Sequence, residues 1–137
     1  KEAALALGIG RALAIPCSVR DASTWVLALL SAPTTPIALR MEVWAQAPGL
    51  PDGLVRTSGF CESAGELPAG AGTVHKLEAL GAIGTAWRTG VAQASTLLPT
   101  PGTPADSSAL QASGARSVLA LPVLMDDAVN EVVALYF

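Results

Sequence analysis

Histidine occurs once in this 137-residue chain, at His75, and cysteine twice, at Cys17 and Cys61. Acid–base or metal chemistry at His75 needs partners close by, and its neighbours Lys76 and Glu78 read as solvent-facing. No set of His, Cys, Asp and Glu stands at metal-ligand spacing, so no metal site is assigned. Cys17 falls in a strand pattern and reads as a small buried apolar group. Cys61, between Phe60 and Glu62 at the start of a Gly-rich stretch, is the thiol placed for a redox or covalent role, although Glu62 beside it would raise its pKa. Ser107, Ser108 and Asp106 lack the G-x-S-x-G frame of a hydrolase. The GAIG of residues 81–84 lacks the Lys of a phosphate loop. Turn preference alone explains Asp126-Asp127. No catalytic residue is assigned, and the chain reads as a non-enzyme.

A second group of residues is suited to binding. Trp44, Trp87 and Arg88 offer aromatic walls and one guanidinium, a combination that fits a planar or anionic ligand. With Cys61 they are the four candidate pocket residues. The competing reading puts both tryptophans in the core and makes Arg88 a charge at a helix C-terminus.

Composition narrows the classes. The length suits one domain around one core. Hydrophobic residues make up 51% and charged residues only 14%, below the usual quarter. That deficit predicts an exposed apolar patch, a partner or dimer face. The net charge is −3, and no Lys/Arg cluster offers a nucleic-acid surface. The longest apolar run, 118–125, is far short of the roughly 20 residues of a membrane span. Two cysteines make no disulfide framework, so the cytoplasm or another reducing intracellular compartment is expected.

These residues are positioned by a recognisable order of elements. Residues 2–7 read as the tail of a helix. Residues 11–19 read as a strand whose Pro16 demands an edge or a bulge. Residues 24–30 (TWVLALL) read as a strand covered on both faces. Residues 37–46 alternate Leu39, Met41, Val43 and Ala45 with Arg40, Glu42, Trp44 and Gln46, the cleanest strand signal in the chain. APGLPDG at 47–53 is a turn or loop, 54–61 a short strand or an irregular segment, and 62–72 a Gly- and Ala-rich connection. Residues 75–89 carry helical spacing that Gly81 and Gly84 divide into two pieces. A strand follows at 91–95, a helix at 105–113, and a hairpin at 116–137 turning at 126–128. No internal repeat, low-complexity tail or linker stands out. Short connections make the sheet mainly antiparallel.

Several segments resemble the GAF domain family: GAIGTAWRTGVAQAS (81–95), SGARSVLALPV (113–123), EVVALYF (131–137) and, earlier, PIALRMEVWAQAPGL (36–50). The resemblance implies an α+β, GAF-like and PAS-related fold, with a central antiparallel sheet, helices on one face and a loop- and helix-covered pocket on the other. It implies a sensory or regulatory module for signal transduction: one domain over 1–137, truncated at both ends from a longer protein. Such a module binds a small molecule or forms a homodimer through terminal helices; the alternative is a ligand-free interaction module. His75 follows Val74 rather than a cysteine, unlike the bilin-binding members, and no cofactor is assigned.

Overall fold

The computed structural model describes the chain except residues 1, 2, 4, 5, 21, 22, 33, 71, 72, 98–109, 111 and 112, with backbone alone at 17–20, 23 and 24. The described residues form nine strands: β1 (Arg11–Arg20), β2 (Ser23–Ser31), β3 (Arg40–Ala47), β4 (Leu50–Cys61), β5 (Gly65–Leu67), β6 (His75–Lys76), β7 (Gln93–Thr96), β8 (Ser117–Met125) and β9 (Ala128–Tyr136). A 3₁₀ turn at Leu77–Leu80 leads into helix α1 (Ala82–Thr89). The strands share one sheet in the order β2-β1-β8-β9-β3-β4-β5, with β6 added to β4 and β7 to β8. The β1–β8 pairing is parallel, at Ser18–Leu124 and Val19–Met125, and the others are antiparallel.

Local chemistry accounts for the boundaries. Pro16 lacks an N–H, and the β1–β2 register shifts immediately after it. Gly81, at φ 52°, separates the 3₁₀ turn from α1, and Gly90, at φ 64°, closes α1 in the left-handed conformation. Asp126 and Asp127, at φ 50° and 63°, form the two-residue turn between β8 and β9. Two positive-φ residues match the right-handed twist of the flanking strands.

Two apolar clusters lie on opposite faces of the sheet. On the first face α1 covers Trp44, Val118, Val132 and Tyr136, with Ile83 and Ala86 as its buried contacts. On the second face the β1–β2 hairpin brings Ile15, Leu13 and Leu29 against Met41, Val133 and Leu135.

This arrangement corrects three expectations. The GAF-like α+β layering does not form: among the described residues the fold is sheet-rich, α1 is eight residues long, and a β-hairpin covers the second face. Gly81 stops the helical pattern of residues 75–89 from growing into a longer layer, and part of the Gly-rich stretch extends the sheet as β5. The helices expected at 2–7 and 105–113 fall largely outside the described residues. Second, β2 is an edge strand rather than one covered on both faces: Trp25 is 73% exposed and Leu30 58%. Third, β3 presents its faces the other way round from the simple reading. Arg40, Glu42 and Trp44 are buried, whereas Met41, Val43 and Ala45 are only half-buried.

Candidate functional site

The inward charges of β3 are held by one carboxylate. Glu42 Oε1 accepts from Arg40 Nε at 2.9 Å, Arg40 Nη2 at 2.5 Å and Arg56 Nη1 at 3.1 Å. Its Oε2 accepts from Trp44 Nε1 at 3.1 Å and from the Tyr136 hydroxyl at 2.7 Å. These donors come from three adjacent strands, β4, β3 and β9, whose register sets Arg40 beside Cys61 and Tyr136, and Trp44 beside Arg56 and Val132. Five donors saturate the lone pairs of the carboxylate, which lets the charge sit inside the fold. Burial raises the Tyr136 phenol well above its usual range, and the charge and acceptor oxygen of Glu42 push it the same way. A carboxylate with every lone pair engaged is poorly placed to take a substrate proton, so this cluster reads as a structural centre.

Three of the four sequence candidates lie on or near this side of the sheet. Trp44 is buried, and its ring meets His75 edge-on at 5.3 Å between centroids. Trp87 is half-buried against the α1-side cluster, and Arg88 is exposed in the last turn of α1. Cys61 ends β4 and is buried rather than exposed in a loop. Burial alone would raise its pKa, but hydrogen bonds from the Ser63 side chain and backbone and from the Ala64 backbone, together with the Arg40 charge, bring it below the ordinary thiol value. Glu62 does not act on it as the sequence implied, because that side chain turns to the other face and pairs with Arg11. The Cys17 side chain lies outside the described residues.

A cavity of about 410 Å³ opens on the opposite face, between the β1–β2 hairpin and the β3–β4 part of the sheet. Leu13, Ile37, Met41, Phe60 and Leu135 supply its apolar wall, and the Arg11–Glu62 ion pair is its charged part. The same ion pair ties the start of β1 to the end of β4. None of Trp44, Cys61, Trp87 and Arg88 lines this cavity. Sequence reasoning missed it because its lining comes from four separated stretches. The signal present was the odd-numbered apolar row of β3, which ends at this wall.

Among the described residues no group of three His, Cys, Asp or Glu side chains is placed to hold a metal ion. No described helix is long and apolar enough to cross a membrane. No family model, curated protein or solved structure matches the chain.

Proposed function

We propose that this chain is a non-catalytic regulatory module that binds a small, largely apolar molecule with one anionic or hydrogen-bonding end. The observation that carries the reading is the cavity between hairpin and sheet. Its volume lies in the range of small-molecule sites, and its wall is apolar with a single charged pair. The apolar body of the ligand packs on Met41, Phe60 and Leu135, and its polar end meets Arg11. The hairpin forms one wall, so a ligand that prefers one hairpin position over another shifts the balance between them. The resemblance of residues 81–137 to a family of small-molecule sensors supports the regulatory part. The GAF-like layering plays no part in the proposal.

The test is a thermal-shift screen with phenylpropionate, medium-chain fatty acids and their amides. A binder at about a hundred times its Kd contributes about 2.7 kcal/mol and raises the melting temperature measurably. Ala38→Trp, which fills the cavity from its rim, abolishes that rise. No stabilisation by any member, or a rise that survives Ala38→Trp, contradicts the reading.

A second reading, an interaction module without a ligand, is favoured by one observation. The edge strand β2 exposes Trp25, Val26, Leu27 and Leu30, with no charged residue between Ser23 and Ser31. Natural edges are usually blunted by charge, proline or cover.

A further inference from the structure

The two hairpins of this fold are copies of one another. Residues 12–16 (ALAIP) match residues 118–122 (VLALP), and residues 26–30 (VLALL) match residues 132–136 (VVALY). The backbone pairing repeats this match as far as the two prolines. Ala12 pairs with Leu30 as Val118 pairs with Tyr136, and Ala14 pairs with Ala28 as Ala120 pairs with Ala134. Pro16 pairs with Val26 as Pro122 pairs with Val132; past the prolines the hairpins diverge, the first bulging at Cys17 on β1 and the second at Asn130 on β9. Before each hairpin an amide closes onto the end of the last strand: Gly10 N donates to Ser31 O as Arg116 N donates to Phe137 O. The parallel contact between β1 and β8 joins equivalent positions, Ser18 to Leu124 and Val19 to Met125. The equivalent faces also meet, Ile15 and Leu29 against Val133 and Leu135.

The surroundings of the copies differ. The outer edge of β9 is taken by β3 from Glu131 to Tyr136. Val132, Ala134 and Tyr136 are buried under α1. On β2 the equivalent Val26, Ala28 and Leu30 are exposed. Alternation along the ladder gives the backbone direction: Ser31 O faces β1, so the N–H and C=O groups of Leu30, Ala28 and Val26 face outward. The hairpin β1–β2 therefore has the packing requirements of β8–β9, but among the described residues neither a strand nor a helix meets them.

We propose that the outer edge of β2 docks a partner polypeptide other than this chain, one that presents an antiparallel strand with apolar residues along Val26, Ala28 and Leu30, as β3 does to β9, and a helix over their side chains. A second copy of this chain does not supply that strand, because its own β3 is already paired on both edges. Leu30 stands where Tyr136 donates to Glu42, so the docked strand carries an apolar residue in place of that carboxylate. The inference deepens the interaction reading and leaves the ligand reading untouched.

The test is hydrogen exchange on the full chain with a peptide of residues 40–47 carrying Glu42→Val as the probe. At millimolar peptide we expect the amides of Val26, Ala28 and Leu30 to exchange at least tenfold more slowly, and the unaltered peptide to protect them less. Ala28→Pro removes an outward N–H without costing a bond to β1, and abolishes the protection while the β1 amides stay protected. If that variant loses the hairpin, Val26→Lys with Leu30→Lys replaces it, keeping the backbone and removing the apolar face. Unchanged exchange with the altered peptide overturns the proposal. So does edge protection that rises with protein concentration alone, which would make a second copy the occupant and keep the interaction reading.

Discussion

Glu42 is the residue on which the interior of this sheet depends. Two guanidiniums, an indole and a phenol all donate to it, and removing it would leave buried cations without a counter-charge. We expect Glu42→Ala to cost about 3–5 kcal/mol in urea unfolding. A loss under 1 kcal/mol would show the cluster to be solvated. Tyr136 adds a pH signature. Its folded pKa is raised by burial and by Glu42, so the native state holds the phenolic proton more tightly than the unfolded chain does. The associated stability is full below the ordinary tyrosine pKa of about 10 and declines as pH rises through the folded value. The chain should lose stability above about pH 10, and Tyr136→Phe should flatten that decline; an equally steep alkaline limb in the variant would contradict the assignment. Much of this cluster was hidden in the sequence. Arg40 and Glu42 alternate with apolar residues and read as an outer face, because their neutralising partners are remote: Arg56 lies 14 residues from Glu42 and Tyr136 lies 94.

At the scale of elements, the strands and their breaks were legible and their surroundings were not. The period-two pattern of β3, the proline bulge of β1, the two-residue turn at Asp126-Asp127 and the glycine exit of α1 each have a local cause. Gly84 shows how tightly the short helix is seated. A Cβ there would overlap the carbonyl of Leu77 in the preceding 3₁₀ turn. We expect Gly84→Ala to destabilise the fold by about 1–3 kcal/mol, although alanine is the better helix former. Stabilisation by that substitution in denaturant unfolding would mean that the turn and helix pack less closely than described. The exposure of β2 had no local cause to read. TWVLALL has the composition of a buried strand, and its equivalent β9 is one. Which neighbours cover a strand is a property of the assembled sheet, and no run of nine residues encodes it.

At the scale of the molecule, the same sheet serves two purposes on its two faces. The α1 side is closed by a charge cluster that fixes the register of β3, β4 and β9. The hairpin side leaves a cavity whose wall is contributed by strands far apart in sequence. The four residues that sequence nominated for a pocket are distributed around the α1 side and the end of β4. Their aromatic and cationic character marked them, but the same character suits core packing and helix ends. The cavity could not be read in advance because it exists only where the copied hairpin folds back over Met41 and Leu135.

The two methionines make the decisive measurement simple. Met41 lines the cavity, and Met125 is half exposed at the hairpin turn. In a sample labelled at the methionine methyl carbons, titration with phenylpropionate or with the best binder of the thermal screen should move the Met41 resonance in a saturable way and leave Met125 in place, and in Ala38→Trp it should move neither. Equal movement of both methyls, or an unmoved Met41 resonance in the presence of a stabilising ligand, would contradict binding in the cavity between the hairpin and the sheet.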